Sequence, residues 1–197
     1  MFVVKRSKCN PILEPNAENS FENYAVFNGN PIEIKNDIHM VYRAQCCPER
    51  IDDKTFSMSV IGKAVSKDGV HFKDRKVFIS PEHQWERYGC EDPRVTKIDG
   101  KYFIFYTALS AFPLNVPEGI KVGLAISKDM KKVTEKHLIT PFNAKAMCLF
   151  PEKIGGKYVA LLTVNPDRLP THMAIAEFNK LEDMWNEKCW KKWYEKL

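Results

Sequence analysis

The sequence predicts an all-β protein built from repeated antiparallel sheets, and three observations lead to this prediction. A turn that feeds an apolar strand recurs along the chain, as DGKYFIFYT at 99–107, GGKYVALLT at 155–163 and, more loosely, NDIHMVYR at 36–43. The strands are short and rich in β-branched and aromatic residues. They are separated by Asp-Gly, Gly-Gly and Lys-Asp-Gly turns, which are typical of hairpins and not of helical crossovers.

A second strand follows each copy of the repeat, at 61–69, 122–129 and 173–178, and sets the period of the unit. A period of roughly 50 to 60 residues with about four strands per unit is typical of the blades of a β-propeller. About three blades are visible, whereas a propeller closes with roughly four to eight. We therefore expect residues 1–197 to form a single propeller domain that is incomplete by itself. A β-sandwich with chance similarity between hairpins is the alternative.

The end of the chain, residues 180–197, predicts an amphipathic helix within this domain. Apolar side chains recur there at helical spacing: Leu181, Met184, Trp185, Cys189, Trp193 and Leu197. The remaining Lys and Glu residues are nearly balanced in number, whereas a lipid-binding helix would be mainly basic. We expect the aromatic face to pack on the last blade.

Composition and charge exclude several classes of protein. The 197 residues are 44% hydrophobic and 28% charged, which fits a folded, soluble protein and not a disordered or coiled-coil one. The net charge of +5 is spread along the chain, so we expect no nucleic-acid partner. The longest apolar runs are too short for a membrane span, and the start of the chain resembles no secretory signal. The expected location is the cytoplasm, with no membrane partner and six free cysteine thiols.

Motifs that hold nucleotides or metals are not found in the sequence, which contains no GxGxxG, GxxxxGK, HExxH, GxSxG or CxxC pattern. The histidines are isolated from one another in the sequence: His39, His71, His83, His137 and His172. We therefore expect neither a metal ion nor an organic cofactor.

The densest polar cluster is GCEDPR at 89–94, with two carboxylates, a proline and an arginine. On an extended strand Glu91 and Asp92 would point to opposite faces, so that one can act in a site while the other anchors a neighbour. Pro93 is expected to hold Asp92 in an extended conformation. The alternative is an ordinary turn with a surface ion pair.

Together with other segments, GCEDPRVTKIDGKYFIFYTA at 89–108 resembles glycoside hydrolase family 130. The other segments follow in the family's order: NPIL at 10–13, VFN at 26–28, VYRA at 41–44, SKDG at 66–69 and LFPEKIGGKY at 149–158. The resemblance implies a five-bladed propeller that cleaves β-mannosides with inversion, either by phosphorolysis to mannose 1-phosphate or by hydrolysis. The chain corresponds to the N-terminal three-fifths of such an enzyme.

The resemblance also implies roles for individual residues. Asp92 corresponds to the general acid, which in the phosphorylases acts through a sugar hydroxyl. The residues expected to bind the β-mannoside oligosaccharide are Asn28, Arg43, Glu91, Arg94, Tyr106 and Lys153. The cations expected to hold inorganic phosphate, the second substrate of a phosphorylase, are Arg50 and Lys145. Phe150 is a second aromatic platform beside Tyr106, although propeller packing explains both rings equally well.

Two departures from the family pattern leave the reaction open. Thr163 stands where phosphorolytic members commonly have an arginine, and Lys145-Ala146 stands where a Lys-Asp pair is common. Phosphorolysis and hydrolysis are therefore both retained, and the alternative to an enzyme is a truncated or degenerate carbohydrate-binding propeller. Open blade edges and the aromatic terminal helix favour a homo-oligomer.

Overall fold

The computed structural model of this chain describes residue 3 and residues 5–51, 53–113 and 116–197. In that part of the chain there are thirteen β-strands and one α-helix. The apolar start of the chain, on which the expectation of no secretory signal rests, falls partly outside the described residues. No helix in the described ranges is long and apolar enough to cross a membrane.

Three antiparallel sheets follow one another along the chain. The first consists of β1 (Ala25–Ile34), β2 (Asp37–Gln45), β5 (Ser59–Ser66) and β6 (Lys73–Ile79), hydrogen-bonded in that order. A hairpin of β3 (Glu49–Ile51) and β4 (Lys54–Phe56) is inserted between β2 and β5. The second consists of β7 (Gly89–Ile98), β8 (Lys101–Leu109), β9 (Ile120–Ser127) and β10 (Glu135–Leu138), also in that order. The third consists of β11 (Ala144–Leu149), β12 (Tyr158–Val164) and β13 (His172–Phe178).

These sheets confirm the predicted all-β blades, and the repeated turns explain why they form. Asp99 and Gly100 have φ values of +48° and +74° between β7 and β8, and Gly155 and Gly156 have +59° and +80° before β12. Glycine adopts this left-handed backbone without strain, and aspartate adopts it more readily than most residues. Each turn therefore reverses the chain at the point where the sequence repeat begins.

Strand β8 is the centre of the core because both of its faces are buried. Ile104 and Tyr106 pack towards the first sheet, with Val41 of β2. Phe103 and Phe105 pack on the other face, in the cluster that includes the buried residues of the third sheet. Because successive side chains of β8 point to opposite faces, the second sheet packs against both the first and the third. The three sheets therefore form one stack, as expected when blades pack face to face.

A buried carboxylate anchors the chain just before β7. Glu86 is fully buried and accepts a hydrogen bond from the Tyr106 hydroxyl at 2.6 Å, while Lys136 Nζ lies 2.5 Å from its carboxylate. Gly123 faces the tyrosine, and a Cβ there would lie 2.5 Å from the ring. This contact holds the segment that leads into β7 against β8 and β10.

The first sheet repeats this arrangement. Glu22, fully buried before β1, accepts a hydrogen bond from the Tyr42 hydroxyl at 2.7 Å and pairs with Arg75 of β6 at 3.4 Å. Gly62 faces Tyr42 as Gly123 faces its counterpart in the second sheet. The chain entering the first strand of each four-stranded sheet is therefore fixed by a tyrosine, a glutamate and a cation.

The terminal segment is divided into two short helices instead of the predicted helix over 180–197. A 3-10 helix spans Leu181–Trp185, and α1 spans Glu187–Tyr194. Asn186 separates them because its backbone is extended, at φ −92° and ψ 108°, and its side chain caps α1 by accepting from the Lys188 amide. The Trp190 side chain is fully buried in the core cluster of the third sheet.

Candidate active site

The first strand of each sheet is interrupted by a β-bulge at the same place. The register shifts lie between Phe27 and Asn30 in β1, Glu91 and Arg94 in β7, and Lys145 and Cys148 in β11. One residue in each bulge has a left-handed backbone: Asn28 at φ +52°, Asp92 at +52° and Ala146 at +53°. Bulges re-aim side chains and are over-represented next to active sites.

Two expectations about the acidic pair are wrong. Asp92 is not extended, because it lies in the β7 bulge with a left-handed backbone, which aspartate adopts more readily than most residues. Glu91 and Asp92 do not diverge either, since both carboxylates approach the same guanidinium, that of Arg43. The bulge removes the alternation on which both expectations depend.

Four of the predicted residues come together across the first and second sheets. Asn28 Nδ2 donates a hydrogen bond to Asp92 Oδ1 at 2.7 Å. Arg43 Nη2 lies 2.5 Å from Glu91 Oε1, and its Nη1 lies 3.7 Å from Asp92 Oδ1. The Asp92 side chain is 26% exposed against 13% for Glu91, so Asp92 presents the more accessible carboxyl. We refer to these four residues as the acidic cluster.

Ser59, which no sequence motif marks, bridges two residues of the acidic cluster, Arg43 and Glu91. Its hydroxyl accepts a hydrogen bond from Arg43 Nε at 3.0 Å and donates one to Glu91 Oε1 at 3.0 Å. Gly89 makes the contact fit: its φ is +142°, and a Cβ there would lie 3.2 Å from the Ser59 carbonyl oxygen. The glycine at the start of GCEDPR was the available signal that another backbone passes close to β7.

Replacing Gly89 by Ala is expected to lower the free energy of unfolding by about 2 kcal/mol, because it combines backbone strain with a backbone contact that cannot be relieved cheaply. Chemical denaturation measures this loss. Gly100→Ala is the matched control: its φ is +74° and nothing lies within 4 Å of the added Cβ, so only the strain remains. Equal losses in the two variants would show that the approach of Ser59 is unimportant.

Burial sets the electrostatics of the acidic cluster. It raises the pKa of Glu91, while the Arg43 charge and the Ser59 hydroxyl act in the opposite direction, with a smaller contribution from Lys145. Thr107 is the cross-strand neighbour of Glu91, and its buried hydroxyl oxygen has no hydrogen-bond partner in the structure. The strand beside Glu91 therefore carries a buried hydroxyl whose hydrogen-bonding capacity is unused.

Tyr106 is not placed to bind a sugar. Its side chain is 2% exposed, and its hydroxyl donates to Glu86. The reason is alternation along β8, which puts Thr107 and not Tyr106 beside Glu91. This burial supports the packing interpretation of the ring and argues against the predicted substrate contact.

Four other candidates lie apart from the acidic cluster or make only local contacts. Arg94 Nη1 donates to the Pro93 carbonyl oxygen at 2.8 Å. Arg50 lies on the β3–β4 hairpin, exposed and paired with Asp53 at 3.2 Å. Lys153 and Phe150 follow β11, at its opposite end from Lys145, and the lysine lies over the Tyr158 ring at 4.5 Å. None of these contacts joins a side chain to Asp92, so they lend no support to the predicted roles.

The third bulge carries an alanine where the first two carry an amide and a carboxylate. Ala146 is exposed at φ +53°, a conformation that costs an alanine about 1 kcal/mol or more. Lys145, which precedes it, pairs across the sheet with Thr163. Near its bulge the third sheet therefore carries the Lys145 cation and the Thr163 hydroxyl. The bulge position itself carries no carboxylate.

Replacing Ala146 by Gly is expected to raise the free energy of unfolding by about 0.5 kcal/mol, because relief of the left-handed strain exceeds the added flexibility of the unfolded chain. Ala174→Gly in β13 is the control and is expected to destabilise the protein, because its backbone is not left-handed. Denaturant midpoints of the two variants measure the difference. A loss of stability at both positions would show that the bulge is not strained.

Within the described ranges, no group of three or more His, Cys, Asp and Glu side chains could hold a metal ion. The acidic cluster itself presents two carboxylates, an amide and a guanidinium. A partly exposed carboxyl held by an amide and a cation is suited to transferring a proton to a bound ligand.

Comparison with known proteins assigns the family. The model of glycoside hydrolase family 130, described as beta-1,4-mannooligosaccharide phosphorylase, matches residues 3–189. The chain belongs to glycoside hydrolase family 130. The family resemblance carried by GCEDPR and the accompanying segments is confirmed.

Two curated relatives of this family 130 chain come from Thermoanaerobacter sp. (strain X514). A 1,2-beta-oligomannan phosphorylase is 38% identical over 168 residues, and a beta-1,2-mannobiose phosphorylase is 35% identical over 174 residues. Each match covers 85% of this chain but only 55% and 56% of the relatives. The chain thus spans a little over half of their length.

Solved structures agree with this assignment. The beta-1,2-mannobiose phosphorylase from Listeria innocua, in complex with beta-1,2-mannobiose, superposes with a TM-score of 0.74 at 26% identity. The match covers 89% of this chain and 63% of that one. The three sheets are therefore part of the five-bladed propeller of family 130, and the predicted fold class is confirmed.

Proposed function

We propose that this family 130 protein cleaves β-1,2-linked mannosides by phosphorolysis with inversion, with Asp92 as the general acid. The observation that carries the proposal is the position of Asp92 in a bulge, where Asn28 and Arg43 hold one of its oxygens. The β-1,2 linkage and the use of phosphate are supported by the names of the two Thermoanaerobacter relatives. Inorganic phosphate is then a co-substrate, and no other cofactor is required.

The contacts of Asp92 leave one of its oxygens for the proton that a general acid transfers. Oδ1 accepts from Asn28 and faces Arg43, so Oδ2 is the oxygen left to bind a proton. That proton passes to the glycosidic oxygen, directly or through a sugar hydroxyl, as the bond from this oxygen to the anomeric carbon breaks. Phosphate attacks the anomeric carbon from the opposite face, which yields α-mannose 1-phosphate and a shortened acceptor.

Lys145 is the cation that we assign to phosphate. Arg43 is engaged by two carboxylates, whereas Lys145 lies in the third bulge region close enough for its charge to act on Glu91. Thr163, the half-buried cross-strand partner of Lys145, can add a hydroxyl donor. Phosphate is recognised through such combinations of positive charge and hydrogen-bond donors.

A panel of substrates tests the proposal. Purified protein is incubated with β-1,2- and β-1,4-linked mannobiose, and with the α-1,2-linked isomer as control, each with and without inorganic phosphate. The expected result is mannose 1-phosphate from β-1,2-mannobiose only when phosphate is present. Absence of product from every mannoside would contradict the proposed activity.

Hydrolysis is the second candidate, and Thr163 favours it. A threonine at this position supplies no positive charge, so one phosphate contact common in phosphorolytic members of the family is lost. In that case water replaces phosphate as the nucleophile. The substrate panel separates the two reactions, because hydrolysis releases free mannose at the same rate with and without phosphate.

We propose that the protein forms a homo-oligomer in the cytoplasm. Met173 and Ile175 of β13 are 79% and 60% exposed, and such an apolar sheet face favours association into a homo-oligomer. Light scattering after gel filtration measures the oligomeric state. The free cysteines are compatible with the reducing cytoplasm, and the three sheets are compatible with one propeller domain of which residues 1–197 form part.

A further inference from the structure

Three aromatic side chains from separate segments meet at the end of the sheets where β7 begins. The ring centroid of Phe56, on β4, lies 5.7 Å from that of Tyr88 and 5.5 Å from that of Phe112. Tyr88 and Phe112 are 6.4 Å apart. We call these three residues the aromatic rim. Phe112 is 37% exposed and the other two are half-buried, so the rim keeps ring surface in contact with solvent.

The aromatic rim is continuous with the acidic cluster. Tyr88 precedes Asp92 by four residues, so their backbones are at most about 13 Å apart. Its amide donates to the Leu109 carbonyl oxygen at 2.9 Å, which joins it to the end of β8 just before Phe112. Phe56 is three residues before Ser59, whose hydroxyl donates to Glu91. All three segments therefore end in or beside the strands that form the acidic cluster.

The chemistry of the aromatic rim suits a sugar ring. Sugars present an apolar C–H face that packs on aromatic rings, while their hydroxyls require polar partners nearby. Lys54 Nζ lies 5.5 Å from the centre of the Tyr88 ring and can serve as such a donor. When the terminal mannose is held at Asp92, a ring stacked on the rim is a different sugar of the same chain.

We propose that the aromatic rim binds a distal sugar of the acceptor part of a β-mannooligosaccharide, and thereby makes the protein prefer oligosaccharides to the disaccharide. This inference rests on the proposed function, because it needs the terminal mannose to be held at the acidic cluster. The rim contributes binding energy only when the chain is long enough to reach it. A disaccharide at Asp92 does not gain this contact.

Calorimetry of two sugars tests the proposal in an Asp92→Asn background without phosphate, so that nothing is turned over. Adding Phe112→Ala is expected to raise the Kd for β-1,2-mannotetraose by about tenfold, the loss of one stacking contact, and to leave the Kd for β-1,2-mannobiose within about twofold. Phe112→Tyr retains the ring and is expected to restore tetraose binding. Thermal unfolding verifies that each variant is folded.

Phe150→Ala is the matched control, since Phe150 is 38% exposed but lies beyond the opposite end of β11 from the bulge. It is expected to change neither Kd. Equal changes for both sugars in Phe112→Ala, or no change, would overturn the role of the rim while leaving the proposed function intact. If the Asp92→Asn protein with an intact aromatic rim binds neither sugar, the proposed function fails as well.

Discussion

Replacing Asp92 by Asn is expected to lower kcat on β-1,2-mannobiose by about a hundredfold to ten-thousandfold, the usual contribution of a general acid. The amide cannot supply the proton, but its oxygen can still accept the hydrogen bond from Asn28, so the local structure should persist. Steady-state kinetics measure the loss, and calorimetry should show that the sugar still binds.

Asp99→Asn is the matched control for this change. Asp99 also has a left-handed backbone, at φ +48° against +52° for Asp92, but it lies in the turn between β7 and β8. Its replacement should leave kcat unchanged. Full turnover by Asp92→Asn would show that another group supplies the proton, and retained binding without any turnover in the unmodified protein would favour a carbohydrate-binding protein.

Replacing Glu86 by Gln is expected to lower the free energy of unfolding by about 3 to 5 kcal/mol, the usual cost of breaking a buried ion pair from one side. Lys136, whose side chain is 5% exposed, would keep its charge without the carboxylate that lies 2.5 Å from it. The Tyr106 hydroxyl would also lose its charged acceptor. Chemical denaturation at neutral pH measures the change.

Glu82→Gln is the control for the buried pair. Glu82 lies 3.6 Å from the same lysine but is 61% exposed, so its replacement should cost less than about 1 kcal/mol. A similarly small loss in Glu86→Gln would show that the buried carboxylate does not anchor the chain before β7.

The same carboxylate gives a pH dependence. Burial by itself would raise the pKa of Glu86, but hydrogen bonds from Lys136 and Tyr106 outweigh it, and the pKa lies below its usual 4.5. A group with a lowered pKa stabilises the fold fully above its unfolded value, and this stabilisation is lost as pH falls through the folded value. Glu86→Gln should therefore lose less stability than the unmodified protein on acidification below pH 4.5.

The sheets could be predicted from the sequence because their signals are local. Alternating apolar residues and Asp-Gly or Gly-Gly turns recur with the period of the blades, and the structure has a hairpin at each of them. The terminal helix was predicted too long because the spacing of its apolar residues does not reveal the extended Asn186. The spacing of apolar residues thus predicts that a helix is present better than it predicts where the helix begins and ends.

The site could be predicted only in part because bulges leave no periodic signal. The family motif pointed to Asp92, Asn28 and Arg43, and these side chains do meet. The convergence of both carboxylates on one arginine depends on a register shift that alternation does not predict. Ser59 was missed because an isolated serine carries no pattern. Tyr106 was misplaced because both faces of β8 are buried.

The most direct test of the account is nuclear magnetic resonance of one reaction that contains the protein, β-1,2-mannobiose and inorganic phosphate. Phosphorus and proton spectra follow phosphate, mannose 1-phosphate and mannose together. We expect phosphate to be consumed as α-mannose 1-phosphate and mannose appear in equal amounts. Constant phosphate with accumulating mannose would contradict phosphorolysis, the β anomer would contradict inversion, and unchanged mannobiose would contradict both.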